Sequence, residues 1–366
     1  MSSPPVRLEL RREAGSTSVW IGSGALDVAL TGLSSLLGGR RVFVITSPPL
    51  RQLHGEALEP LAAAAGEFQV LEVADGEAAK TPETAIGVWR TLLAAGGKRD
   101  SLIVAFGGGS IGDLAGFVAG TFLRGVDYVQ IPTTLLAQVD AAIGGKTAIN
   151  LPEAKNSVGL FYHPLATIAD TGFLGTLPPR QLRSGLFEVV KTAVMRDADL
   201  FSRLEADLAR LLAGDADALA ESVKLTAAAK IGVVEKDPKE NDIRQLLNFG
   251  HTLGHALELS LEMLEHGEAV GYGMLFAIDL AVARGFAPGE ADRVRALIRR
   301  IGLPPLPPTV PLEAVMARLE RDKKAREAGL AWVVPLHIGS GEICTDIAAE
   351  DVRHRVGDFL GGRNGC

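Results

Sequence analysis

Three histidines, His251, His255 and His266, fall within one short stretch of the chain. His251 and His255, in "LNFGHTLGHALE", are four apart, which puts both rings on one face of a helix. The glutamate of an H-E-x-x-H zinc motif is missing. A catalytic zinc commonly takes three protein ligands and keeps a fourth position open, so a histidine pair needs a third group. His266, in "LEHGEAVGYGM", and Glu188, in "LRSGLFEVVK", are the two candidates, each a polar residue among apolar neighbours. His54, His163, His337 and His354 read as ordinary surface or packing residues. Only Cys344 and Cys366 are present, too few for a disulfide framework or a cysteine-ligated site. Any metal must use histidine and carboxylate.

Cations gather near these ligands. Lys191 lies three residues after Glu188, on the same helix face, and "AAAKIGVVEKDPKENDIRQLLNFGH" supplies Lys230, Arg244 and Asn248. A chain of net charge −7 that concentrates cations there points to a polyanionic substrate. Upstream, "DAAIGGKTAINLPEAKNSVGLFYHP" carries Asp140, Lys146, Asn150, Lys155 and Asn156 around a pair of glycines. Lysine and asparagine donors converging on such a loop suit a phosphate or a carboxylate, although surface lysines between two strands would look the same. Arg124, in "FLRGVDY", adds a further cation.

A glycine-rich turn, "IVAFGGGSIGDLAGFVAG", leads from an apolar strand through Gly107, Gly108 and Gly109 into a helix. Lacking Cβ atoms, such a backbone can approach a pyrophosphate, and the amides and dipole of the next helix favour its charge. The spacing is not the G-x-G-x-x-G dinucleotide fingerprint. Glu77 and Lys80 of "DGEAAK", Asp113, and Thr133 with Thr134 also lie at or beyond the ends of strand-like segments, which favours one shared cleft.

The elements that must hold these groups are legible as a pattern. "RVFVITS", "QVLEV", "SLIVAFGGG", "YVQIPTT" and "ATIAD" read as strands, separated by helical segments such as residues 54–65 and 82–95. This alternation predicts an α/β, Rossmann-like, doubly wound parallel sheet. After about Leu177 a mainly α-helical domain is expected, with a Pro-rich connection at residues 301–311 and a small hairpin from "LAWVVPLHIG" and "GEICTDI". The expected domains are residues 1–175 and 176–366. A chain of 366 residues with 47% hydrophobic and 22% charged residues suits two folded domains. The negative charge argues against a general nucleic-acid partner. No apolar run suits a signal peptide or a membrane span, so no membrane partner and a cytoplasmic location are expected.

Taken together and in order, "GGGSIGDLAGFVAGTFLRG", "IPTTLLAQVDAAIGGKTAIN", "KN", "SGLFEVVK", "LNFGHTLGHALE", "HGEAV" and the "DKK" of Asp322 to Lys324 closely resemble the 3-dehydroquinate synthases of the sugar phosphate cyclase family. The match runs from about Asp75 to Lys324. The resemblance implies a Rossmann-like NAD domain, a helical domain, a homodimer and a divalent metal, zinc or cobalt. It implies metal ligation by Glu188, His251 and His266, with His255 outside the ligand set and facing the chemistry. NAD contacts would fall at Glu77, Lys80, Gly107, Gly108, Gly109, Asp113, Thr133, Thr134 and Thr176, with Lys146 and Lys155 also on that side. Substrate contacts would fall at Asp140, Lys146, Lys155, Asn156, Lys191, Lys230, Arg244, Asn248 and His255. Lys323 or Lys324, of which we take Lys324, would join them, and Arg124 is a candidate to reach the neighbouring subunit's site. Two departures stand out. Ser47 replaces an Asp or Asn common after the first Rossmann strand, and "NLPEAKN" places Leu151 and Ala154 where "NHPLGKN" is commoner.

The implied reaction converts 3-deoxy-D-arabino-heptulosonate 7-phosphate, a phosphorylated sugar acid, to 3-dehydroquinate and phosphate. It proceeds by transient oxidation with NAD, phosphate elimination, re-reduction and intramolecular aldol closure, as a lyase step of the shikimate route to aromatic amino acids. The alternatives are another sugar phosphate cyclase lacking the carboxylate, a metal-dependent polyol or glycerol phosphate dehydrogenase of similar fold, and a catalytically silent NAD-binding protein.

Overall fold

The computed structural model describes residues 4–13, 15–325 and 330–363, with side chains left undescribed at 34, 35, 321–325 and 363. The elements of the first half are β1 (Val6–Arg12), β2 (Gly15–Gly22), α1 (Ala25–Leu37), β3 (Arg41–Thr46), α2 (Pro48–His54), α3 (Glu59–Ala64), β4 (Glu67–Glu72), α4 (Pro82–Ala94), β5 (Leu102–Gly107), α5 (Gly109–Thr121), β6 (Asp127–Pro132), β7 (Lys146–Leu151), β8 (Ala154–Phe161) and β9 (Ala166–Asp170). A helical succession follows, of α6 (Pro179–Arg196), α7 (Ala198–Leu212), α8 (Ala216–Lys236), α9 (His251–Ser260), α10 (His266–Ala283), α11 (Pro288–Ile301), α12 (Leu312–Ala325) and α13 (Ala349–Asp358). It is interrupted by β10 (Trp332–His337) and β11 (Ser340–Cys344).

The chain divides into two compact units, residues 1–178 with 214–239, and residues 179–213 with 240–366. Helix α8, which lies in the helical half of the sequence, packs on β1 and β2 in the first unit.

In the first unit a seven-stranded sheet runs β1-β2-β9-β6-β5-β3-β4. Every pairing is parallel except β1 with β2. Strands β3, β5, β6 and β9 are buried almost throughout, as continuous apolar runs covered on both faces require. One face packs Val88 and Leu92 of α4 and Leu114 and Val118 of α5. The other packs Leu26 and Ala29 of α1 and Leu61 of α3. The five strands expected from sequence are β3, β4, β5, β6 and β9. The single helix expected over residues 54–65 is instead broken. α2 ends at His54, a 3-10 turn covers Gly55–Leu58, and α3 restarts at Glu59 with Pro60 in its first turn. Proline has no amide hydrogen to give to the preceding turn, so it belongs at a helix start.

In the second unit the late hairpin forms as expected from β10 and β11, which pair antiparallel with a bulge near Pro335. Residues 302–311 carry no helix or strand, consistent with their prolines. Among the described residues, no helix is long and apolar enough to cross a membrane.

A candidate metal centre and a candidate dinucleotide site

In the second unit, three helices bring the metal candidates together. Glu188 and Lys191 lie one turn apart on α6 and are both buried, Glu188 completely. His251 opens α9 and His266 opens α10. Glycines allow this approach. Gly250 holds φ at +81°, which admits the sharp entry into α9, and a Cβ there would lie 2.6 Å from Met274 Cγ and from the Val270 carbonyl oxygen. On α10, a Cβ on Gly273 would lie 1.8 Å from the Gly250 carbonyl oxygen, and one on Gly267 would lie 2.0 Å from that of Ser184 on α6. Side chains at these positions would push α6, α9 and α10 apart. The start of α10 is further held by a capping box between Glu265 and Glu268. Arg180 of α6 grips Glu268 through two hydrogen bonds of 2.7 Å.

The ligand geometry follows. One oxygen of Glu188, Oε1, lies 3.6 Å from Nε2 of His251 and 3.6 Å from Nε2 of His266. Two ligands about 2.05 Å from a tetrahedral zinc are separated by about 3.4 Å, so this spacing fits one small cation between the three groups. The donor set, one carboxylate and imidazoles, also fits zinc or cobalt. His255, one turn after His251, is exposed, with its ring centroid 5.1 Å from that of His251 and 5.7 Å from that of His266. Ligating atoms of the three histidines all lie within 4.8 Å of one another. The geometry therefore assembles four potential ligands, not three.

Charge is tightly compensated. Lys191 pairs with Glu188. Burial opposes a charge on His266, but hydrogen bonds and attraction from Glu188 and Glu258 outweigh it and raise its pKa to about 10. Burial pushes His251 well below its ordinary value. Glu258, in "HTLGHALE" seven residues after His251 and on the same helix face, joins this cluster without having been expected from the sequence. Arg244 is buried, and Asn248 donates from Nδ2 to Glu240 Oε1 at 2.7 Å. The side chains of Lys323 and Lys324 lie outside the described residues.

In the first unit, a second cluster forms at the carboxyl ends of the strands. Lys80 is buried, and its Nζ donates to Asp113 Oδ2 at 2.7 Å and to Asn156 Oδ1. Glu77 accepts from Ser110 Oγ and from Asn150 Nδ2, each at 2.8 Å. Burial opposes ionisation of Glu77, but Lys80, Asn150 and Ser110 outweigh it and hold its carboxyl below the usual range. Burial instead dominates at Asp113, whose carboxyl is pushed up to about 6 despite Lys80. Gly108 caps α5 in an extended conformation and, being glycine, offers its first amides no capping side chain, a polarity suited to a phosphate. The flanking glycines also have a packing role. A Cβ on Gly107 would lie 2.8 Å from Ile111, and one on Gly109 would lie 3.2 Å from Ala141. Thr133 is buried beside Gly107, donating its amide to that carbonyl at 3.0 Å, and Thr134 Oγ1 accepts from Ala137. Thr176 is exposed, with its hydroxyl 2.8 Å from His54 Nε2.

The lysine-rich segment corrects one expectation. It is not one loop on which donors converge but the antiparallel hairpin β7–β8. Lys146 pairs with Phe161 at one end, whereas Lys155 follows Ala154 at the other, so the two are on the order of 16 Å apart at strand spacing. Alternation of apolar residues is too weak across "AINLPEAKNSVG" to reveal both strands. Lys155 and Asn156 therefore belong with the Glu77–Lys80 group. Asp140, in the turn Ala137–Ala141, accepts from Lys230 of α8 through its carbonyl at 2.6 Å and through its carboxylate. Arg124 is exposed in a tight turn with φ of +68°. The departures are accommodated, since Ser47 is buried and donates to Asp75 Oδ1 at 2.9 Å, and Leu151 and Ala154 are exposed.

Residues 70–184 match the family model of the 3-dehydroquinate synthase N-terminal region, and residues 185–325 match that of its C-terminal region. A 3-dehydroquinate synthase of Pelotomaculum thermopropionicum is 44% identical over 338 residues, covering 91% of each chain. A 2-epi-valiolone synthase of Actinosynnema mirum is 43% identical over 336 residues, covering 90% of this chain and 88% of its own. Among solved structures, 2-epi-5-epi-valiolone synthase of Streptomyces hygroscopicus, with NAD+ and Zn2+ bound, superposes with a TM-score of 0.86 at 31% identity, covering 97% of this chain and 99% of its own. A 2-deoxy-scyllo-inosose synthase complexed with carbaglucose-6-phosphate, NAD+ and Co2+ superposes with a TM-score of 0.87 at 26% identity, covering 95% and 98%. With the two family models together spanning most of its length, and relatives above 40% identity over nine-tenths of it, the chain belongs to the 3-dehydroquinate synthase family.

Proposed function

We propose that this chain catalyses the 3-dehydroquinate synthase reaction, turning 3-deoxy-D-arabino-heptulosonate 7-phosphate into 3-dehydroquinate and inorganic phosphate, and is thus a carbon–oxygen lyase. We take it to work as a homodimer in the cytoplasm. The observation that carries the reading is the fully buried Glu188 carboxylate, equidistant from His251 and His266, in a chain of this family. When bound, NAD and a zinc or cobalt ion supply a hydride acceptor that returns its hydride, and a Lewis acid for one substrate hydroxyl.

The chain's own residues hold and orient these groups and the substrate. Glu188, His251 and His266 are the metal ligands. The shared 3.6 Å spacing supports this choice over a set containing His255, whose exposed ring suits a proton carrier at the reacting hydroxyl. Glu77, Lys80, Gly107, Gly108, Gly109, Asp113, Thr133, Thr134 and Thr176 serve the dinucleotide. In the first unit Lys230, aimed by Asp140, suits an anionic group, and in the second unit the buried Arg244 suits the substrate carboxylate. Lys155 and Asn156 act with the Glu77–Lys80 group and Lys146 serves a separate anionic group in the first unit, Lys191, Lys324 and Asn248 of the second unit suit the substrate's hydroxyls and phosphate, and Arg124 serves a neighbouring subunit's site. Electrostatic positioning of this kind leaves little covalent work to the protein.

The test incubates the purified protein with the heptulosonate phosphate, NAD+ and zinc, and follows phosphate, dehydroquinate and absorbance at the NADH wavelength. Phosphate release with no net NADH is expected. Steady NADH accumulation would show a dehydrogenase and overturn the reading. The 43% identity to a 2-epi-valiolone synthase favours a second reading, a cyclase for a sugar phosphate without the carboxylate. Turnover of sedoheptulose 7-phosphate in preference to the heptulosonate would establish it.

A further inference from the structure

We infer that Glu258 is a positioning residue of the metal centre, orienting His266 and lending the site a second negative charge. The inference rests on the metal reading above. Glu258 lies on α9 seven residues after His251 and three after His255, so all three project from one helix face. Its side chain is 14% exposed, and Oε2 lies 3.0 Å from Nδ1 of His266. That contact places the Nδ1 proton of His266 on the carboxylate side and leaves Nε2, on the far edge of the ring, directed at Glu188 Oε1 3.6 Å away.

The two histidines are thus held differently. Nδ1 of His251 faces a neutral acceptor, the Phe249 carbonyl oxygen, at 3.3 Å. Nδ1 of His266 faces a carboxylate, a shorter and charge-assisted contact that makes the imidazole a stronger donor at Nε2. The charge balance agrees. A divalent ion beside the buried Lys191 ammonium, with Glu188 as the one carboxylate among its ligands, leaves net positive charge in a buried place, and Glu258 supplies a negative charge across one ring.

The test compares Glu258→Gln, which keeps an acceptor for Nδ1 but removes the charge, with Glu258→Ala, which removes both. Zinc affinity is read by competition with a chromophoric chelator, and ligand geometry by the visible absorption of the cobalt-loaded protein. Affinity is expected to fall about tenfold for the glutamine variant and about 100-fold for the alanine variant, the range seen when such outer partners are lost, with shifted cobalt bands in both. A glutamine variant that binds zinc as the parent does, with unchanged cobalt bands, overturns the inference even if the alanine variant does not fold. A parent protein that takes up neither metal overturns the metal reading itself, and this inference with it.

Discussion

At the scale of single residues, the proposed metal centre depends on Glu188. A carboxylate with no solvent exposure is costly unless cations compensate it, and here Lys191 and His266 do so. Glu188→Ala should reduce bound zinc, measured by atomic emission, from about one per chain to near zero and lower turnover about 1,000-fold. His255→Ala should keep its zinc and still lose turnover about 100-fold. A metal-free His255→Ala protein would move that histidine into the ligand set. Asp113 offers a pH test in the other unit. Its folded carboxyl titrates at about 6, above the unfolded value of about 3.9. The folded chain therefore holds the proton more tightly, and the resulting stability is full below about pH 4 and lost as pH rises through about 6. The shift corresponds to about 2–3 kcal/mol. Asp113→Asn has no such proton, so its Tm relative to the parent should rise between pH 4 and pH 7. A difference constant over that range would count against a raised Asp113 pKa. These residue types were legible from the sequence as polar groups among apolar neighbours. Glu258 was not singled out, because a glutamate late in an amphipathic helix resembles an ordinary surface residue.

At the scale of elements, helical periodicity places His251, His255 and Glu258 on one face of α9, and this much follows from spacing alone. What the spacing does not contain is how closely α9, α10 and α6 approach. Three glycines set that distance, and each was visible only as a gap in a helical pattern. Gly273→Ala should be the sharpest test, since its Cβ would lie 1.8 Å from backbone that cannot rotate away. Overpacking of this kind costs about 1–3 kcal/mol or more. The variant should melt several degrees lower and bind zinc more weakly, by calorimetry and chelator competition. Parent-like values in both measurements would show that α10 can shift without disturbing the centre. The hairpin β7–β8 teaches the complementary lesson. Its residues were singled out as donors, but their convergence was not a property of the sequence, because Lys146 lies at the open end of the hairpin and Lys155 at its turn.

At the scale of the whole molecule, the candidate groups divide by unit. Glu188, His251, Glu258 and His266 all lie in the second, while Glu77, Lys80, Asp113, Thr133 and Thr134 lie in the first. Hydrogen exchange should therefore separate the two ligands. Zinc should protect peptides of α6, α9 and α10, and NAD+ those around residues 77–80, 107–113 and 133–134. Ligand at about 100 times its Kd stabilises by about 2.7 kcal/mol, ample for the measurement. Zinc protection confined to the first unit would contradict the assignment. The sequence by itself determined the parallel sheet, the helical second half and the family, because periodicity, composition and ordered motifs are local properties of the chain. Only the tertiary structure decided that α8 carries Lys230 into the first unit, that Lys146 and Lys155 stand apart, and that Glu188 faces two imidazoles at one distance. Those facts depend on which surfaces pack together and on how closely glycine lets backbones meet, and neither is written in any single stretch of residues.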